Sequence, residues 1–95
     1  MADILWHSYH EIHIASAPPS GHGISEKEFS SAWHSNDRSD IEQPDLATGG
    51  RQFRSRAMAS SGRRLVLIWR WDDEDLLALG VELVFPITAF PDNSP

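Results

Sequence analysis

The chain predicts an α+β domain, with helices packed on one face of a largely antiparallel sheet. Three observations lead there. A short β-like run opens the chain, apolar residues in the first third fall at helical spacing, and alternating runs after Phe53 read as three further strands. Ninety-five residues make one domain, 1–95, with one modest core.

The opening "DILW", Asp3 to Trp6, has the content of a short edge strand. "HSYHEIHIASA" follows, with Tyr9, Ile12 and Ala15 at helical spacing ahead of Pro18 and Pro19; a short helix and an extended arm both fit. In "HGISEKEFSSAWH", Ser25 and Glu28 form a capping box, a hydroxyl and a carboxylate three residues apart that satisfy orphan amides at a helix start. Ile24 is placed to staple onto Phe29, and Phe29, Ala32 and Trp33 make an apolar stripe, so a helix is expected from Glu26 to about His34. "SNDRSDIEQPDLATGG", residues 35–50, shows little period and reads as a long loop.

A β-hairpin comes next. "QFRSRAMA" alternates Phe53, Ser55 and Ala57 against Arg54, Arg56 and Met58; "SSG" supplies the turn, with Gly62 suited to positive φ. "RLVLIWRW" is apolar on both faces for most of its length, as expected of a central strand. "DDEDLLALG" reads as a connection or helical turn ending at Gly80. "VELVFPITAF" is a further strand whose Pro86 demands an edge, a bulge or a break, and 91–95 is a frayed tail. Trp6, Trp33 and Trp69 are candidate core members, since indoles of this size bury up to ~250 Å² each.

Charge is distributed unevenly. The net charge is −6 and the pI about 5.1, which argues against a general nucleic-acid coat protein. Yet "RQFRSRAMASSGRRLVLIWRW", residues 51–71, holds six of the eight basic residues and no carboxylate, between acid-rich stretches at 37–45 and 72–75. Two readings compete: arginines paired to the neighbouring acids, or a local anion-binding face. With no cysteine there is no disulfide framework and no thiolate chemistry, which fits a reducing cytosol. The longest apolar run, "LVLIW", is far short of the ~20 residues that span a bilayer, and "MADILW" has no basic n-region, so neither membrane nor signal peptide is expected. His7, His10 and His13 do not share one tight face on either a helix or a strand, and no metal or other cofactor is expected. Asp72 to Asp75 reads as a solvated turn; "ASSG" lacks the context of a hydrolase nucleophile, and "LATGGR" lacks the lysine of a phosphate loop.

Order and spacing of several motifs resemble one family. "ILW", then a helix leading to "HGIS", then "EKEFSSAW", is similar to the start of the BrnT-type ribonuclease toxins. "FRSRAMASSGRRLVLIW" resembles their strand–turn–strand, with its S-x-G-R-x-L turn, and "PITAF" their last strand; the likeness runs from Ile4 to Phe90. It implies a RelE-like module: two N-terminal helices packed on one face of a three- to four-stranded, mainly antiparallel sheet. It also implies a cytoplasmic endoribonuclease neutralised by an antitoxin protein. In that chemistry a ribose 2′-hydroxyl attacks the adjacent phosphate, and planar guanidinium groups stabilise the charge that develops. On this reading Arg54, Arg56 and Arg63 are the catalytic phosphate-stabilising groups. His22, which matches the family's histidine, is the proton carrier, and Arg51, Arg64 and Arg70 complete the RNA-binding surface. Arg54 and Arg56, two apart, leave one strand on the same face.

The sequence departs from the pattern in places. Phe90 stands where an arginine usually ends the last strand, Phe85-Pro86 replaces a commonly basic position and its neighbour, and Gly21 replaces the basic residue before "HGIS". These departures imply an alternative, a relative that binds a protein or nucleic acid without cutting. A third reading is a structural domain whose arginines make internal ion pairs.

Overall fold

The computed structural model describes residues 2–6 and 23–93. Among them the order is β1 (Asp3–Ile4), α1 (Glu26–Trp33), β2 (Ser39–Glu42), β3 (Phe53–Met58), β4 (Arg64–Trp71), α2 (Glu74–Ala78) and β5 (Leu83–Pro91). The strands form one five-stranded sheet in the order β1-β5-β4-β3-β2. β1 runs parallel to β5, and every other pairing is antiparallel. The sheet is therefore mixed.

This corrects the expected architecture of two N-terminal helices on a three- to four-stranded sheet. Among the described residues there are two short helices, only α1 precedes the hairpin, and α2 lies between β4 and β5. The candidate helix in "HSYHEIHIASA" falls outside the described residues. The stretch expected as a loop, 35–50, supplies β2, a strand whose four residues are all exposed. It carries no alternation because it buries neither face; pairing to β3 alone makes it a strand.

α1 forms as its sequence dictates. The Ser25 hydroxyl accepts from the Glu28 N–H at 3.1 Å, and Phe29, Ala32 and Trp33 are buried against β3 and β4. Ile24 and Phe29, both fully buried, belong to the same core cluster. The hairpin turns between Ala59 and Arg63, with Gly62 at φ 87°. In β5 the register slips opposite Ile68 and Trp69: Thr88 faces Ile68 and Pro86 faces Trp69, leaving Ile87 as the extra residue of a bulge. A proline in a paired strand needs such a place, since it cannot donate to the ladder. Asp73 accepts from the Asp75 and Leu76 N–H groups as the N-cap of α2, so part of the expected solvated turn is a helix start.

The core lies between α1 and the inner sheet face. Trp33, Trp69 and Trp71 meet edge to face, with centroids 4.9 to 6.1 Å apart, and Phe53 stacks on Trp69 at 4.7 Å. Trp6 is half-buried and packs edge-on against Phe29. A hydroxyl enters this layer. Ser55 is fully buried, accepts from Trp69 Nε1 at 2.7 Å and donates to Asp40 Oδ1 at 2.6 Å. Asp40 lies directly opposite Ser55 on β2, and Arg38 Nε reaches the same oxygen at 3.0 Å. Arg38 also donates to the Trp33 carbonyl at 2.8 Å and lays its guanidinium over the Trp33 ring at 4.0 Å. Ser55→Ala strands the Trp69 donor in the core and removes the Asp40 contact. The expected cost is about 1–3 kcal/mol, with a fall in Tm of at least about 5 °C for a chain this size. Thermal unfolding followed by tryptophan fluorescence reads it, and an unchanged Tm would show that the chain of bonds contributes nothing.

Candidate functional site

The segment 51–71 carries all six arginines singled out above, but its strands and turns send them to different places. Arg54 and Arg56 do share the outer face of β3, where every second residue is exposed. By register, Ile41, Arg54, Ile68 and Thr88 form one row across that face, and Ser39, Arg56, Val66 and Phe90 form the next. Arg64 lies one row further on, opposite Met58.

Arg56 is engaged within the protein. Its Nε donates to Asp92 Oδ2 at 2.9 Å, and the Asp92 side chain is only 3% exposed. To reach Asp92 from β3 the side chain must pass over β4, where the buried Val66 lies opposite it. The Asp92 N–H also bonds the Arg64 carbonyl at 2.9 Å, so the start of the expected frayed tail is tied to the sheet.

Arg63 is engaged elsewhere, at the start of α1. It holds Glu28 bidentately, Nε to Oε2 at 3.0 Å and NH2 to Oε1 at 2.6 Å, and donates to the Gly23 carbonyl at 3.1 Å. The Ser61 hydroxyl donates to the same carboxylate, and the Ser60 N–H donates to Ser31 Oγ at 2.9 Å. The turn is thus clamped to the helix. Burial pushes the Glu28 carboxyl up, but hydrogen bonds from Arg63 and Ser61, the Arg63 charge and the Ser25 N–H together hold it below its ordinary 4.5.

Arg51 bridges two carboxylates, Glu42 at 2.7 Å and Glu74 at 3.2 Å. Hydrogen bonding to Glu42, then the charges of Glu42 and Glu74, raise its pKa. Arg70 donates to the Trp71 and Asp72 carbonyls at 3.3 and 3.4 Å and lies over the Phe85 ring at 4.3 Å. Between Arg51 and Arg70 opens a groove of about 530 Å³. Its wall also holds Asp45, Asp72 and Glu74, so carboxylates outnumber guanidinium groups there.

Two arginines remain. Arg54 and Arg64 make no ion pair among the described residues. Asp37 is held low by hydrogen bonds from the Ser35 hydroxyl and the Met58 N–H, with the nearby Arg64 charge a smaller contribution. Arg54 and Arg64 sit four residues apart along the hairpin, about 13 Å in the strand direction, with the occupied Arg56 between them. No convergent set of guanidinium groups forms. His22, the expected proton carrier, lies outside the described residues, as do His7, His10 and His13.

Sequence reasoning missed Arg38, Asp40 and Asp92, the partners that give the polar groups their geometry. A signal existed for one of them: a serine on the apolar face of an alternating strand needs a hydrogen-bond partner. Among the described residues no cluster of three or more histidines, aspartates or glutamates is placed to hold a metal ion, and no helix is long and apolar enough to cross a membrane. No protein-family model matches the chain, and neither a curated protein nor a solved structure proves similar to it.

Removing the clamp is a direct test of its role. Arg63→Ala should cost about 1–2 kcal/mol, the range of a charge-assisted contact reduced for partial exposure. Because the Glu28 carboxyl is lowered in the folded state, its contribution is fully present above the unfolded value and fades as the pH falls through the folded one. Urea unfolding at neutral pH and at about pH 3 should therefore show a smaller acid loss for Arg63→Ala than for the wild type.

Proposed function

We propose that the protein is a non-catalytic binding module that engages a protein partner through the outer face and free edge of its sheet, in the cytoplasmic setting its cysteine-free composition suits. One observation carries this reading. Arg51, Arg56 and Arg63 answer to carboxylates of the chain itself at three separate places. A nuclease of the kind the sequence resemblance implies needs those groups free and aimed together at one phosphate, because preorganised donors are the source of its rate. Spending them on Glu28, Asp92, Glu42 and Glu74 favours stability over chemistry.

The second reading, an endoribonuclease restrained by an antitoxin, draws on Arg54 and Arg64, the two arginines of the segment without ion pairs among the described residues. To share one phosphate both side chains would have to stretch across Arg56. Incubation of the purified protein with total cellular RNA should give no cleavage, and induced expression in a bacterial host should leave growth unchanged. Cleavage that disappears in Arg54→Ala plus Arg56→Ala, with an unaltered circular-dichroism spectrum, would reinstate the nuclease.

A further inference from the structure

We infer that β2 is the acceptor for a sixth strand. An extended segment of a protein partner joins the sheet at this edge and offers Arg54 a carboxylate on the face that carries Ile41. The inference rests on the binding-module reading and names the surface and the partner's chemistry.

The backbone of β2 is set out for it. The Gln43 N–H bonds the Gln52 carbonyl at 2.8 Å, which fixes the phase of the β2–β3 ladder. Ser39 and Ile41 then direct their backbone groups to β3, and Asp40 and Glu42 direct theirs away from it. Among the described residues β2 is the last strand on its side of the sheet, and all four of its residues are exposed. Two N–H donors and two carbonyl acceptors, in the spacing an added strand requires, have no backbone partner among the described residues.

The outer face supplies the specificity. Ile41, 61% exposed, lies directly opposite Arg54. Two residues along β3, Arg56 provides a template: it crosses β4 above Val66 and binds a carboxylate beyond, at 2.9 Å. Arg54 has the same relation to the other flank. β2 is the strand it would cross, Ile41 the residue it would cover, and an added strand the place from which a carboxylate would meet it. Such a bridge would cover Ile41, which is exposed without it.

The inner face sets a second rule. Asp40 and Glu42 point there, already held by Arg38 and Arg51. A further acid beside them would meet like charge, so the incoming strand carries its carboxylate between two neutral or basic neighbours. A second copy of this chain does not fit. Pairing β2 with β2 about Ile41 brings Asp40 opposite Glu42, gives Arg54 no carboxylate and joins two chains of net charge −6.

The test uses two synthetic peptides, Thr-Val-Lys-Glu-Lys-Val-Thr and the same sequence with Gln for Glu, titrated into the full chain. The Glu peptide should bind about tenfold more tightly, the difference should shrink below about twofold in Arg54→Gln, and amide shifts should concentrate at Asp40 and Glu42. Arg54 is exposed and makes no ion pair among the described residues, so its replacement leaves the fold in place. Equal affinities, absence of binding, or shifts centred elsewhere would overturn the inference. So would concentration-dependent dimerisation abolished by Ile41→Lys, which would give the edge to a second copy. None of these outcomes bears on whether the protein cleaves RNA, which the cleavage assay decides separately.

Discussion

The hydroxyl of Ser55 is the joint on which the sheet depends. It is fully buried, and both its bonding directions are used, one by the Trp69 indole and one by Asp40. A buried hydroxyl left unbonded costs as much as a sizeable fraction of a small domain's stability. That cost is avoided only when Asp40 lies opposite Ser55, which is the β2 register found here. A polar, fully exposed strand has no burial of its own to fix its alignment. Ser55 supplies the alignment from inside the core, and Arg38 completes it from outside by bonding Asp40 and covering Trp33.

The arginines of the hairpin follow a related logic. Arg51 joins Glu42 from the first acid-rich stretch to Glu74, just past the start of the second, and so closes the loop that separates β2 from β3 against the start of α2. Arg63 fixes the β3–β4 turn to α1, and Arg56 fixes the end of β5 to β3. The segregation of charge along the sequence thus becomes neutralisation in space. Arg54 and Arg64 break this pattern: neither makes an ion pair among the described residues, and Arg54 lies next to an exposed isoleucine on the β2 edge strand.

Much of the fold was legible where burial writes a period into the sequence. α1 announced itself through Ser25, Glu28 and the Phe29–Ala32–Trp33 stripe, and the hairpin through the alternation around Arg54 and Arg56 and the glycine of its turn. β2 was illegible because Ser39 to Glu42 bury nothing, so pairing leaves no trace in hydropathy. The parallel direction of β1 was equally hidden, since two residues carry too little pattern to reveal a partner. For the site, the shared face of Arg54 and Arg56 was readable from parity alone. The fate of each guanidinium was not: Asp92 lies 36 residues from Arg56 and Glu28 lies 35 from Arg63, and only tertiary structure brings them together.

The three indoles packed edge to face in the core have an optical consequence. Trp33, Trp69 and Trp71 lie within 6.1 Å of one another, each nearly perpendicular to its neighbours. Transition dipoles that close mix, and the resulting exciton bands fall in the same ultraviolet region as the peptide signal. In a chain whose described helices are so short, the dichroism of the folded state is coloured by indole geometry as much as by backbone, and a loss of that band reports loosening of the core before any strand has come apart.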